Sequence, residues 1–164
     1  MITIKDTTIT KTMIFKYITV VLIIVYVIWL MIYASGSTKP FEDVARAVES
    51  SLDKENLVKM DTQEFKRYYG LNSADYQGVL YYSSEFSISA EEVLLVEVKS
   101  DKQVQEVRDA IERRLASRKN DFDGYAPKEV QLLDAAQLKV RGRYVFLAVA
   151  PKAETYSSAF AESL

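Results

Sequence analysis

The chain has 164 residues with 21 basic and 23 acidic side chains, which give a net charge of −2. This near balance argues against a nucleic-acid partner, because binding to phosphates requires a basic surface that releases counterions. The chain contains neither cysteine nor histidine, which excludes disulfides, thiolate nucleophiles, histidine zinc sites and a serine–histidine–aspartate triad.

An uninterrupted apolar segment at residues 17–34 predicts one transmembrane helix near the N-terminus. The segment contains no charge, proline or glycine, and as a helix it would span roughly 27 Å, close to the hydrocarbon thickness of a bilayer. Tyr17 at one end, with Trp29 and Tyr33 near the other, would form the aromatic belts of the two membrane interfaces. We therefore expect residues 17–34 to contact the lipid bilayer.

Charges on either side of this segment predict its orientation. Lys5, Lys11 and Lys16 precede it, whereas Lys39 stands alone shortly after it. The positive-inside rule then places the N-terminus in the cytoplasm and the rest of the chain outside the cell membrane. The predicted parts are a cytoplasmic tail at 1–16, the transmembrane helix at 17–34, a polar linker at 35–40 and an extracytoplasmic domain at 41–164.

Two other interpretations of the apolar segment stay open. One is a buried core helix, although a helix that is apolar on every face is unusual in so small a domain. The other is a cleaved signal peptide, since Ala34, Ser35 and Gly36 offer small residues for cleavage after Gly36. The segment is longer than the apolar core of a signal peptide, which has about 7–15 residues, so an uncleaved anchor is favoured.

Residues 41–164 predict an α+β domain in which a small antiparallel sheet of about four strands packs against helices. An amphipathic helix begins near Phe41, where Pro40 suits a helix start. A second, shorter helix is predicted at residues 62–69, and Gly70 follows as its C-terminal stop.

Two strands are predicted next, at residues 78–83 and 93–99, from their β-branched and aromatic residues. Between them, residues 89–92 resemble a capping box, which predicts one turn of helix. A second capping-box pattern, formed by Ser100 and Gln103, opens the clearest helix of the chain, at residues 101–119.

The C-terminal part is predicted to contain a helix after the turn at 125–127 and then a hairpin. Its strands are residues 138–140 and 143–150, joined by Arg141 and Gly142, where glycine supplies the positive φ of a tight turn. The second strand is apolar on both faces, which places it inside the sheet. A final amphipathic helix closes the chain.

Two groups of acidic residues are candidates for metal binding or for acid–base catalysis. Asp121, Asp123 and Gly124 suggest a metal loop, but the glycine and glutamate that an EF-hand requires at later positions are missing. Glu91 and Glu92 could support acid–base work only if their side chains converged. Neighbours on a strand point to opposite faces, so a cap and a solvated strand edge explain them better. No catalytic, metal or cofactor site is predicted.

Basic residues and tyrosines supply the candidate interaction surface. The basic cluster near the end of the 101–119 helix suits anionic lipid headgroups or an acidic cell-wall polymer. Paired tyrosines suit carbohydrate or protein recognition. A solvated helix face and a half-buried sheet face are the structural alternatives. The candidate residues are Arg113, Arg114, Arg118, Lys119, Tyr81 and Tyr82.

Five segments of the domain follow one another in a characteristic order and spacing. They are residues 66–71, 90–99, 101–119, 125–127 and 142–146. In this they resemble domain of unknown function family 4358, small extracytoplasmic bacterial proteins that are often predicted lipoproteins, and the resemblance covers about residues 41–163. It implies a Gram-positive cell surface and transfers no catalytic residues. The absence of the lipoprotein cysteine implies an uncleaved helical anchor instead.

The sequence therefore predicts a membrane-anchored binding or scaffolding module whose partner is another envelope protein or the cell wall. One alternative is an enzyme acting on envelope polymers, which a convergent, partly buried acidic pair in a pocket would indicate. Another is a subunit of a membrane complex that contacts its partners through the transmembrane helix, although that helix lacks a small-residue packing motif.

Overall fold

The computed structural model describes the backbone of residues 5–34 and 39–164 and, within these ranges, the side chains of residues 13–30 and 39–164. The chain divides into two compact units, Met1–Ser35 and Gly36–Leu164. Most of the predicted linker and the side chain of Tyr33 lie outside the described residues.

The first unit contains helix α1 (Lys5–Ala34), which begins inside the predicted cytoplasmic tail. Its most apolar window is Met13–Leu30, and none of that window is buried in the protein. The Thr19 hydroxyl donates to the carbonyl of Phe15 at 2.9 Å, so this polar group is satisfied within the helix, as a lipid environment requires. The helix is long and apolar enough to cross a membrane, a property that anchors and signal sequences share.

The second unit is built on a five-stranded antiparallel sheet, which confirms the α+β prediction with one strand more than expected. The strands are β1 (Val58–Lys59), β2 (Gly78–Ser83), β3 (Glu92–Glu97), β4 (Gln137–Arg141) and β5 (Tyr144–Val149). Their order across the sheet is β1-β2-β3-β5-β4. The extra strand, β1, has only two residues, too few to show an alternating pattern in the sequence.

Helices cover both faces of this sheet. They are α2 (Phe41–Ser51), α3 (Thr62–Tyr69), α4 (Asp101–Phe122), α5 (Pro127–Asp134) and α6 (Ala153–Glu162). On β3, Leu94 and Val96 face the core under α3, α4 and α5, and Val93 and Leu95 face the core under α2 and α6. A strand that is apolar on both faces needs such double cover, and β5 lies inside the sheet as predicted.

Local signals set both ends of α3 and the start of α4 where the sequence predicts them, whereas α4 continues to Phe122, three residues past its predicted end. The Asp61 carboxylate accepts from the amides of Gln63 and Glu64 at 2.8 and 2.9 Å, which caps α3, and Gly70 ends that helix at a φ of 72°. At α4 the predicted capping box forms between Ser100 and Gln103. These signals work because the first amides and last carbonyls of a helix have no partner within it.

Two local predictions are wrong. Residues 89–92 form no helical turn: the Ser89 hydroxyl accepts from the amide of Glu91 at 3.2 Å, and the chain pairs with β2 from Glu92 onward. In the hairpin, Arg141 pairs with Tyr144, so the two-residue loop lies one position later than predicted. Strand pairing overrides the local pattern in both places.

The two ends of the sheet differ. At the entry end, where the linker joins the domain, Gly78 pairs with Glu97, and Glu97 pairs with Tyr144. The Tyr144 hydroxyl donates to the carbonyl of Lys39 at 2.8 Å. The ring of Phe41 fills the space above Gly78, where a β-carbon would overlap it. The entry end is therefore closed by packing.

Candidate functional site

The opposite end, called the loop end, carries the connection between β2 and β3. The amide of Ser84 donates to the carbonyl of Glu91 at 3.0 Å and closes the base of this loop, residues 84–91. The amide of Ser89 donates to the carbonyl of Phe86 at 3.0 Å and forms a tight turn at the tip. The loop therefore has an internal hydrogen-bonded structure of its own.

Side chains from α4 and α5 fasten this loop to the domain. Arg118 donates from Nη2 to the carbonyl of Ser89 at 2.7 Å, and its guanidinium lies 4.3 Å from the centre of the Phe122 ring. Glu129 accepts from the amide of Ala90 at 2.7 Å through Oε2. Charge-assisted hydrogen bonds of this kind are short and strong, so they hold the loop in one conformation.

Three large apolar side chains are exposed at the loop end. Phe86, Ile88 and Tyr125 are 62%, 71% and 63% exposed, whereas no other large apolar side chain described in residues 39–164 exceeds 39%. We call these three residues the apolar patch. Two open depressions adjoin it, of about 440 Å³ against Ile88 and Tyr125 and about 250 Å³ against Phe86 and Ile88. Exposed apolar surface beside a depression is typical of a binding site.

Two carboxylates line the smaller depression beside the patch. Glu91 and Glu129 both face it, together with the polar side chains of Asn56 and Ser84. Burial raises the pKa of Glu91, and the neighbouring carboxylates of Glu129 and then Asp53 raise it further. This is a partly buried acidic pair in a pocket, although Glu91 is paired with Glu129 and not with its sequence neighbour.

Glu92 has a different role, and its interpretation as part of a solvated edge is wrong. Its side chain is only 1% exposed. Its Oε2 accepts from the Arg114 Nε at 3.3 Å and from the Tyr81 hydroxyl at 3.2 Å. Burial raises the pKa of Tyr81 well above its usual range, and Glu92 adds to the shift. A buried carboxylate needs such partners because desolvation of an unpaired charge is costly.

The structure separates the two candidate tyrosines. Tyr81 belongs to the core under α3, α4 and α5, and Tyr82 belongs to the core under α2 and α6. The Tyr82 hydroxyl donates to the Glu49 carboxylate on α2. Both side chains are buried, so their phenols serve internal hydrogen bonds.

The four basic candidates also divide. Arg114 and Arg118 are 13% and 15% exposed and hold Glu92 and the 84–91 loop. Lys119 pairs with Asp134 at 2.7 Å. Arg113 is exposed and lines a separate cleft between α3 and α4. The six side chains are divided between the two core faces of the sheet and the surface of α4, and their role as an interaction surface stays a prediction.

Sequence reasoning passes over the residues that form the apolar patch. Phe86 and Ile88 lie in a segment rich in serine and glutamate, a composition that is typical of a surface loop. Tyr125 lies in a turn before Pro127. A usable signal is present, since large apolar side chains in a polar loop have no strand face to bury them. Within the part of the chain that the structure describes, no group of three acidic residues could hold a metal ion.

The second unit is a small α+β domain, because its five-stranded antiparallel sheet lies between two layers of helices. One apolar helix precedes this domain in the chain. Residues 50–150 match the family described as Domain of unknown function (DUF4358), so the protein belongs to that family. No curated protein and no solved structure matches the chain significantly. The family match confirms the resemblance and brings no activity with it, so function must be argued from the chain itself.

Proposed function

We propose that the protein is a single-span, membrane-anchored module that binds another envelope protein on the extracytoplasmic side. Helix α1 would anchor it, with the basic N-terminal segment inside and residues 41–164 outside. The observation that supports binding is the apolar patch, in which Phe86 and Ile88 on the fastened 84–91 loop and Tyr125 in the turn between α4 and α5 are exposed.

The patch has the features of a protein-binding surface. Aromatic side chains are enriched among residues that contribute most to binding free energy. The bonds from Arg118 and Glu129 order the loop before a partner arrives, which lowers the entropy lost on association. Glu91 and Glu129 lie beside the patch, so the complementary partner is an apolar surface bordered by basic residues.

The location of the patch agrees with an anchored module. The chain enters the domain at the end where Lys39 and Tyr144 are bonded. The patch extends from the loop between Ser83 and Glu92, which pair with each other at the other end of β2 and β3. Within the domain, Lys39 and the patch therefore lie at opposite ends of β2 and β3.

Topology is tested by protease protection of the full-length protein in oriented membranes, with a tag at each end and the intact mass recorded. We expect the C-terminal tag to be digested from outside and the N-terminal tag to be protected. Trp29 is the single tryptophan of the chain, so brominated lipids should quench its fluorescence. A mature chain that begins near Ser37, or a protected C-terminal domain, would contradict the anchored extracytoplasmic topology.

Binding is tested by photo-crosslinking in native membranes, with a photoreactive residue placed singly at 86, 88 or 125. We expect one shared crosslinked protein from all three positions. Val140 is the matched control, because it is partly exposed on β4 and lies outside the patch. Equal crosslinking from position 140 would contradict the proposal, and crosslinks from positions 13–30 alone would favour a membrane-complex subunit that binds through α1.

A second candidate function is a carboxylate-dependent enzyme that acts on envelope polymers. The observation in its favour is the Glu91–Glu129 pair, since a raised pKa suits a general acid. Opposing it, Glu129 already accepts a hydrogen bond from the amide of Ala90. Turnover of envelope glycans by the full-length protein that disappears in both E91Q and E129Q would support the enzyme, and no turnover would leave binding as the function.

A further inference from the structure

A second surface feature lies away from the loop between β2 and β3, in an open cleft of about 360 Å³ between α3 and α4. We call it the arginine cleft. Among the described residues that line it, none is acidic. The lining side chains that matter for its chemistry are Arg67, Tyr68, Tyr69, Arg113, Arg114 and Ser117.

Two of the three arginines are free to bind a ligand. Arg67 and Arg113 are exposed, and neither has a hydrogen bond or ion pair with any residue described in 13–30 and 39–164. Free guanidinium groups that face one cleft repel each other at short range. An anion between them removes that repulsion and accepts hydrogen bonds from both.

The third arginine is held in place. Arg114 is 13% exposed and donates from Nε to Glu92, and no hydrogen bond to its two Nη atoms is formed by the described residues. Its guanidinium lies 4.5 Å from the centre of the Tyr68 ring, and that of Arg67 lies 5.7 Å from the same ring. Tyr68 thus orders two cations at the cleft through cation–π contacts.

Tyr69 forms part of the floor of the same cleft. Its side chain is 4% exposed, and its hydroxyl is enclosed near the buried Glu92 carboxylate. Burial raises the pKa of Tyr69 well above its usual range, and Glu92 raises it further, so the phenol keeps its proton at neutral pH.

The charges of the cleft define the class of ligand. Three guanidinium groups oppose one buried carboxylate, Glu92, although the chain as a whole is slightly acidic. A phosphate group carries a charge of about −1.5 to −2 and three acceptor oxygens, and arginine binds it through two parallel hydrogen bonds. The cleft is wider than one phosphate, and the Tyr68 ring with its two guanidinium groups forms part of its wall.

We propose that the arginine cleft binds a phosphate group carried on a ring-bearing ligand such as a phosphorylated sugar. Arg67 and Arg113 are the phosphate donors, Arg114 is the ordered cation at the floor, and Tyr68 is the wall that the ring of the ligand contacts. This site goes beyond the proposed function, because it lies on a different surface from the apolar patch and binds a different class of ligand.

The test is calorimetric titration of the full-length protein in zwitterionic nanodiscs with glucose 1-phosphate, inorganic phosphate or glucose. We expect glucose 1-phosphate to bind more tightly than inorganic phosphate, glucose not to bind, and affinity to fall with added salt. Each of R67A and R113A should weaken binding by about tenfold. R46A is the matched control, since Arg46 is exposed on α2 and pairs only with Asp43.

A lipid arm identifies the source of the phosphate. Binding to nanodiscs that contain phosphatidylglycerol, with no binding of glucose 1-phosphate, would support the phosphate site and identify a lipid headgroup as the source of the phosphate. If no phosphate probe binds, or if R67A and R113A lose no more affinity than R46A, the proposal is overturned.

Discussion

Strand β3 begins and ends with a buried glutamate, and the two ends use the same residue differently. At the loop end, Glu92 is 1% exposed and its partner Arg114 is 13% exposed. At the entry end, Glu97 is 6% exposed, but its partner Arg143 is 53% exposed. One ion pair is enclosed by the core, and the other remains in contact with water.

The two ends of the sheet also differ in how much apolar surface they expose. The entry end is sealed by Phe41 on Gly78 and by the bond from Tyr144 to Lys39. The loop end leaves the apolar patch exposed and adjoins the enclosed charge of Glu92. The end attached to the linker is therefore closed by packing, whereas exposed apolar surface is concentrated at the other end.

The largest expected effect comes from removing the enclosed carboxylate. Glu92→Ala leaves Arg114 buried without its partner and should lower the free energy of unfolding by about 3–5 kcal/mol. Unfolding of the full-length protein in detergent can be followed by near-UV circular dichroism of the domain's tyrosines. Glu97→Ala should cost about 1–3 kcal/mol, because water can replace the lost partner of Arg143. Equal losses of unfolding free energy would contradict the difference between the enclosed ion pair and the ion pair that contacts water.

Closure at the entry end is tested next with Gly78→Ala. The added β-carbon overlaps the ring of Phe41, so we expect a loss of about 1–3 kcal/mol in the free energy of unfolding from overpacking. Phe41→Leu in the same chain should recover part of that loss, since the smaller side chain leaves room. If the two substitutions are simply additive in chemical denaturation, the contact does not seal this end.

A smaller effect is expected from unfastening the loop. Arg118→Ala removes the donor to Ser89, so the amides of residues 84–91 should exchange with deuterium roughly tenfold faster, with a global loss of about 1 kcal/mol. Lys119→Ala is the control on the same helix, because it breaks only a largely exposed pair with Asp134. Equal protection of the loop in both variants would show that Arg118 does not order it.

The smallest effect is a pair of opposite pH dependences. The hydrogen bond from Tyr82 lowers the pKa of Glu49 from its ordinary value of 4.5, so this carboxylate stabilises the fold above that pH and loses its contribution as the pH falls. The pKa of Glu91 is raised by burial, so its charge destabilises the fold as the pH rises past 4.5.

Melting temperatures measured against pH resolve the two signs. At neutral pH, E49Q should melt below the wild-type protein and E91Q above it. The E91Q difference should disappear as the pH falls towards 4.5, whereas the E49Q difference should shrink only as the pH falls below 4.5. A shift of the same sign in both variants would contradict the opposite environments of the two carboxylates.

Local signals explain why much of the fold is predictable from the sequence. Asp61, Ser100 and Gly70 act on backbone groups within one turn of helix, and the apolar content of Met13–Leu30 needs no tertiary partner to be recognised. The hairpin is located by Gly142, whose φ is 54°. Each of these features is encoded within a few consecutive residues.

The candidate site is less predictable, because its residues become neighbours only when the sheet closes. Glu91 meets Glu129 in one depression, and Arg67 meets Arg113 across two helices. The sequence suggests that Arg114 is a surface residue of a helix. The pairing of β3 in the sheet, however, places the Glu92 carboxylate within hydrogen-bond distance of Arg114. No local pattern records such contacts between distant parts of the chain.

The apolar N-terminal helix, the α+β class, the helix caps and the family can be predicted without the structure, because they depend on composition and on contacts close along the chain. Tertiary structure decided which charges are enclosed, which loop is fastened and which side chains stay exposed. Pairing of Glu92 with Ser83 and Val149 aligns β3 with its neighbours and so sets which face of the sheet each side chain meets. That alignment places Glu92 under Arg114, at the floor of the arginine cleft, and leaves the apolar patch on other residues.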